Sequence, residues 1–172
     1  MVINVELENY AVKKVLIYQG SSADILYWAT YKKLQLPTTA MLPYDEPIYG
    51  FSGKKVSTHG FIDLHIVFRD DAQTKTIPIR FLVVDVPTSY NVLLGRLSLN
   101  TIGVVVSTPH LAMKFPAPSG DVLTIHGDQQ LAHECYMTSL CPQLPLLQNN
   151  HIERPPGSDI ALSGDDLDPR VA

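Results

Sequence analysis

Val15-Leu16-Ile17-Tyr18-Gln19-Gly20-Ser21-Ser22-Ala23-Asp24-Ile25-Leu26-Tyr27-Trp28 is an apolar run that stops at a glycine and then restarts. Three aliphatic residues in succession suit a strand buried on both faces, and Gly20 followed by two serines lets the backbone turn sharply. Ser21 and Asp24 have the spacing of a helix N-terminal capping pair. The restart therefore predicts a helix over residues 25–34, with Ile25, Leu26, Trp28, Ala29, Tyr31 and Leu34 as apolar positions and Pro37 closing it. A strand that runs into a glycine turn presents its last side chain for chemistry, and that side chain is Tyr18.

Upstream, residues 2–7 alternate apolar and polar, Asn9-Tyr10 can turn, and residues 12–17 are apolar again, which predicts an antiparallel hairpin feeding Gly20. Downstream, residues 44–49, the glycine-rich tip Gly50-Phe51-Ser52-Gly53 and residues 54–68 predict a long hairpin. Asp70-Asp71 opens a turn into a strand over residues 76–84, with Pro78 implying an edge or a bulge near its start. Val92-Leu93-Leu94-Gly95-Arg96 then repeats the opening pattern: an apolar triplet, a glycine, and a short helix over residues 97–102 ended by Gly103. Three short strands follow over residues 104–106, 111–115 and 122–126. The segment closes with a helix over residues 129–140, capped by Asp128 and apolar at Leu131, Ala132, Cys135, Tyr136 and Leu140.

After Leu140 the character changes. Residues 141–172 hold five of the thirteen prolines, with Asn149-Asn150 and the acidic Asp165-Asp166-Leu167-Asp168, and read as a linker or disordered tail. The expected organisation is a domain over residues 1–140 and this tail. A net charge of -4 argues against nucleic-acid binding through a basic surface. No apolar segment approaches the roughly 20 residues of a membrane-spanning helix, and the amino terminus, with acids at Glu6 and Glu8, is unlike a secretory signal. Cys135 and Cys141 are the only cysteines and form neither a disulfide framework nor a zinc site, so the expectation is a reduced, soluble, cytoplasmic protein without contact to membrane or nucleic acid.

Three stretches in register carry a family likeness: residues 16–24 around Tyr18-Gln19-Gly20, the tip Gly50-Phe51-Ser52-Gly53, and Val92-Leu93-Leu94-Gly95-Arg96 with Gly103 beyond it. Over residues 1–140 the chain resembles the retropepsin-like aspartic-protease domain of gypsy-type retrotransposon polyproteins, particularly those of plants. Val83-Val84-Asp85, residues 111–115 and Gly127-Asp128-Gln129 extend the likeness. The resemblance implies a mainly β acid-protease barrel with a flap hairpin, short helices after each glycine corner and a C-terminal helix. It further implies a homodimer in which each subunit supplies one aspartate, and a peptide or polyprotein substrate.

Transferred residue by residue, Gly20 takes the motif's glycine, Gln19 its middle position and Tyr18 the place of the catalytic aspartate. Ser21, Ser22, Gly50, Phe51, Ser52 and Gly53 fall at substrate-binding positions. Leu94, Gly95 and Arg96 brace the corner; the resemblance implies an acid partner for Arg96, for which Asp24 is the candidate, and the alternative reading is a surface arginine. The chemistry shows what Tyr18 removes. Two carboxylates held close share one proton, so that one activates water while the other serves as acid. A tyrosine side chain ordinarily titrates near pH ~10 and is a poor base there. Asp and Tyr codons differ by one base, which fits a decayed element copy, a deliberate silencing or a gene-model error. Asp24, Asp63 and Asp85 are poor substitutes, because none follows the strand into Gly20.

Other motifs have plainer readings. Gly20-Ser21-Ser22 lacks the second glycine of a nucleophile elbow, and Gly50-Phe51-Ser52-Gly53-Lys54-Lys55 lacks the spacing of a phosphate loop. The six histidines show no i, i+4 pair and no grouping with cysteine, so neither a metal nor a cofactor is expected. Two functions follow from the sequence. One is an aspartic endopeptidase domain silenced at Tyr18, and the other is a non-catalytic peptide-binding or dimerisation module on the same fold.

Overall fold

The computed structural model describes residues 1–50, 53–140 and 152–153. The chain opens with the hairpin β1 (Val2–Leu7) and β2 (Tyr10–Ile17), antiparallel with Leu7 opposite Tyr10. Its tight turn places Glu8 and Asn9 at positive φ. The restart after Gly20 is a strand, β3 (Asp24–Tyr27), and helix begins only with α1 (Trp28–Lys33), which corrects the helix predicted over residues 25–34. The reason lies elsewhere in the chain. β3 is paired on both edges, parallel to β7 (Thr74–Val84) and antiparallel to β8 (Val92–Leu94), and Leu26 is fully buried between them. Pairing on two edges outweighs a local helical pattern that four residues could satisfy only weakly.

Between α1 and β7 run the two-residue strands β4 (Ile48–Tyr49) and β5 (Lys55–Val56), which pair with each other, and the twelve-residue β6 (Thr58–Arg69). β6 and β7 form the longest pairing of the fold. Pro78 stands opposite His65, in the part of β7 that β3 does not reach, so the proline lies on an edge as its chemistry requires. The order β1, β6, β7, β3, β8, β2 closes through the β1–β2 pairing into a six-stranded barrel.

After β8 comes α2 (Arg96–Ile102), ended by Gly103 in the left-handed conformation at φ 73°. Strands β9 (Val105–Ser107), β10 (Ala112–Pro116) and β11 (Val122–His126) make a separate three-stranded sheet. The inner face of that sheet, Met113, Phe115, Leu123 and Ile125, packs against the barrel, and Phe115 meets Phe68 edge-on at 5.3 Å. α3 (Gln129–Leu140) starts at Asp128, whose side chain accepts the Leu131 N–H at 2.9 Å, as the sequence predicts. Its apolar face is narrower than the pattern suggests: Cys135 is buried, while Tyr136 and Leu140 are exposed.

Within the stretch expected to be linker, Ile152–Glu153 forms a short strand, β12, antiparallel to β2 at Val12 and Ala11. The remainder of that stretch lies outside the described residues, as do Phe51 and Ser52 at the hairpin tip. No helix among the described residues is long and apolar enough to cross a membrane.

One buried side chain joins three elements. Asn91, with no exposed surface, accepts the Thr30 hydroxyl at 2.9 Å and donates to the Lys13 carbonyl at 2.7 Å. Its backbone bonds Lys14 and Tyr27. Asn91→Leu leaves the Thr30 hydroxyl and the Lys13 carbonyl buried without partners and should destabilise the fold by about 2–4 kcal/mol. Urea unfolding measures this, and an unchanged midpoint would show that the network carries no net stability.

Candidate functional site

The corner after β2 is a tight turn held from both sides. The Tyr18 N–H donates to the Leu94 carbonyl at 3.0 Å, and the Tyr18 carbonyl accepts the Ser21 N–H at 3.2 Å. Ser21 then locks its own neighbourhood, since its hydroxyl donates to the Ala23 carbonyl at 2.7 Å and accepts the Ala23 N–H at 3.3 Å. The Tyr18 ring folds back over Gly20. A Cβ on Gly20 would stand 2.6 Å from the Tyr18 Cζ and hydroxyl oxygen, so a side chain there would push the ring aside.

The second corner closes against the first. Gly95 passes so near Ala23 that a Cβ there would collide with the Ala23 carbonyl oxygen and lie 2.9 Å from the Ser21 oxygen. The Arg96 N–H donates to the Ser21 carbonyl at 2.8 Å. Asp24, 5% exposed, accepts the Gly95 N–H on one carboxylate oxygen and the Ser98 hydroxyl on the other, both at 2.7 Å. The expected pairing of Asp24 with the Arg96 guanidinium is corrected by this arrangement. The carboxylate caps the first turn of α2 through backbone and hydroxyl, and Arg96 contributes its main chain to the brace. Asp24, at the start of β3, likewise caps α2 rather than a helix of its own. Burial raises the Asp24 carboxyl above the ordinary aspartate value, and the bonds from Ser98 and Gly95 only partly offset this.

Facing the first corner is the β4–β5 hairpin, whose turn is closed by the Gly50 N–H donating to Lys54 and the Gly53 N–H donating to Gly50. Between corner and hairpin lies a cavity of about 420 Å³. Tyr18, Gly20, Ser21 and Ser22 line it from the corner, and Ile48, Tyr49, Gly50 and Val56 from the hairpin. Of the site residues expected from sequence, the fold thus brings Tyr18, Gly20, Ser21, Ser22 and Gly50 together. Gln19 is exposed and outside the lining, Gly53 closes the hairpin turn away from it at φ 71°, and Leu94, Gly95, Arg96 and Asp24 stand behind it. The remaining walls, Ala23, Ile25, Tyr27, Val84, Val86 and Leu93, have no counterpart among the sequence-based candidates. Reading residues 24–27 as a strand would have found two of them, because Ile25 and Tyr27 alternate with the buried Leu26.

Among the described residues no carboxylate lines this cavity. Asp24 is taken up by α2. Asp63 is exposed and held by Arg80 through two bonds of 2.8 and 3.0 Å, an arrangement that lowers its carboxyl below the usual range. Asp85 faces His59, whose Nε2 is 3.6 Å away, and that imidazole is stacked on Trp28 at 3.9 Å. Among the described residues no three His, Cys, Asp or Glu side chains group as metal ligands.

No family model and no curated protein matches the chain. Among solved structures it is similar to the retroviral protease-like domain of Ddi1 from Leishmania major, at a TM-score of 0.51 and 13% identity over 72% of this chain and 88% of that one. EIAV protease complexed with the inhibitor HBY-793 aligns at a TM-score of 0.49 and 23% identity, over 62% of this chain and 91% of that one. A retropepsin-like aspartic protease from Rickettsia conorii aligns at 0.43 and 19%, over 72% and 80%. The mainly β barrel with few helices, one of them C-terminal, is a retropepsin-like fold.

The raised Asp24 carboxyl makes a signed prediction. The unfolded chain releases this proton near the ordinary value of ~3.9, before the folded chain does. The contribution of Asp24 to stability therefore falls as pH rises from about 4 through its higher folded value and is constant above it. The unfolding free energy of wild type minus that of Asp24→Asn, measured in urea at stepped pH, should fall over that window. A difference that climbs with pH would contradict the assignment.

Proposed function

We propose that this chain is the retropepsin-like domain of a gypsy-type plant retrotransposon polyprotein, one half of a homodimeric aspartic endopeptidase that no longer cuts. In this reading residues 1–140 are the domain and residues 141–172 its linker. The β4–β5 hairpin is the flap, and the family's catalytic aspartate has been replaced by Tyr18. The observation that carries the proposal is the cleft itself. The glycine corner and the hairpin face each other across about 420 Å³, and the described lining residues include no carboxylate.

Peptide hydrolysis on this architecture needs a pair of acids sharing a proton, one per subunit. A phenol at the same place leaves water without a base and the scissile carbonyl without an acid. The remaining acids do not restore the pair, because Asp24, Asp63 and Asp85 are each engaged outside the cleft. The rest of the support is intact. Gly95 still lets the second corner close on the first, and the Arg96 N–H still fastens Ser21.

Purified protein should leave unstructured peptides uncut at pH 4–6, and it should sediment as a concentration-dependent dimer. Tyr18→Asp should gain pepstatin-sensitive cleavage, rising by about 10²–10⁴-fold over the wild-type background, the range in which positioned acid and base groups act. Pepstatin-sensitive cleavage by the unaltered chain would refute the loss of activity, and a strict monomer would refute the shared site.

A further inference from the structure

Behind the cleft, side chains from three elements meet. Where β6 begins its pairing with β7, Thr58 lies opposite Val84 and Gly60 opposite Val83, so His59 is the extra residue of a bulge. A bulge bends its strand and re-aims the side chain it carries. Here the His59 ring lies face to face on Trp28, the first residue of α1, with centroids 3.9 Å apart and planes 14° from parallel. Its Nε2 stands 3.6 Å from the carboxylate of Asp85, the residue after β7. Each of the three sits beside a wall of the cleft: Tyr27 precedes Trp28, Val84 and Val86 flank Asp85, and Val56 lies shortly before His59. Between them the Asp85 N–H donates to the Ser57 carbonyl at 3.1 Å. The neighbouring Thr58 hydroxyl is buried with no hydrogen-bond partner among the described residues, so it adds no side-chain tie at this end of β6.

We propose that His59 is a charge-switched clip on the footing of the β4–β5 hairpin: its imidazolium is held between the Trp28 ring and the Asp85 carboxylate and fastens the chain after β5 to the ends of β3 and β7, whereas the neutral ring keeps only the stack and the footing loosens. At 3.6 Å a neutral imidazole is past hydrogen-bond range of the carboxylate. An imidazolium in the same place gains the attraction of the carboxylate and of the indole face together. Two further groups face that indole: Tyr31 stacks on it at 5.2 Å, and Lys32, whose Nζ is 6.0 Å from its centroid, is the like charge that opposes the clip. The His59 and Asp85 side chains are 33% and 56% exposed, so solvent screens the gain to the modest size that tips a local balance. Histidine is the side chain whose ordinary charge change falls between pH 5 and 8. The contribution is present while the imidazole is charged and is lost as pH rises through its titration. The clip acts on the walls of the cleft and does not depend on whether the cleft cuts or only holds a peptide.

The test has two readouts on the full chain between pH 8 and pH 5. Trp28 is the only tryptophan, so its emission reports this contact alone. An imidazolium against an indole quenches it by accepting an electron, and a neutral imidazole quenches far less, so emission should fall as the pH is lowered and should not fall in His59→Gln. Amide hydrogen exchange, expressed as protection over the unstructured rate, then reads the footing itself. Protection of the Asp85 N–H should rise about three- to tenfold from pH 8 to pH 5 relative to the Asn91 N–H, which bonds the Lys14 carbonyl within the barrel. That range is the combined worth of one exposed ion pair and one cation–π contact. The rise should vanish in His59→Gln and shrink in Asp85→Asn.

Wild-type emission that does not change with pH overturns the charged contact, and it does so even if neither variant folds. Emission that falls while the relative protection of Asp85 stays level overturns the role of that contact in holding the hairpin. A rise in protection that persists undiminished in both variants assigns the pH response to another group and overturns the clip.

Discussion

A buried carboxylate holds the two halves of the site together. Asp24 stands at the start of β3 and gives both oxygens to the first turn of α2, one to the Gly95 N–H and one to the Ser98 hydroxyl. Around that contact Gly95 approaches Ala23 too closely for any side chain, and Arg96 ties its N–H to Ser21. β8 is sandwiched between β2 and β3, so this one contact fixes the angle at which the chain leaves the barrel twice. An ion in such a place is costly unless its lone pairs are met, and here a helix N-terminus and a hydroxyl meet them.

Asp24 is therefore committed to the architecture, and the described residues that line the cleft include no carboxylate. Asp24, Asp63 and Asp85 each have a structural partner, whereas the position at the mouth of the turn holds a phenol whose ring rests on Gly20. On the function proposed above, the change at position 18 does not require the fold to change. The corner is held by main-chain bonds of Tyr18 and Ser21, which a different side chain at position 18 leaves in place. The described residues of the cleft make an apolar slot that carries no charged side chain.

The parts of the fold that were legible in the sequence are those decided locally. The β1–β2 hairpin follows from alternation and a turn, α2 from its closing Gly103, and the start of α3 from Asp128, each a short-range device. β3 was not legible, because Ile25-Leu26-Tyr27 becomes a strand only when β7 and β8 arrive on either side. For the same reason the corner and hairpin residues of the cleft could be named from their motifs, while Ile25, Tyr27, Val84, Val86 and Leu93 could not. The resemblance points Arg96 toward an acid, with Asp24 as the candidate, whereas the geometry presents the backbone and Ser98 to Asp24 and leaves Arg96 exposed, the plainer of the two readings. The exposed Tyr136 and Leu140 show the complementary error, where a helical stripe is wider than the surface available to cover it.

The central claim is that this cleft receives a peptide and leaves it whole. Amide chemical shifts of the labelled chain, followed while an apolar hexapeptide is added at pH 5, test it directly when the peptide is afterwards weighed by mass spectrometry. The account predicts shifts concentrated at Tyr18, Gly20, Ile25, Ile48, Val84 and Leu93, with the peptide recovered intact. A peptide recovered in two fragments, or shifts confined to the face of the β9–β11 sheet, would contradict it.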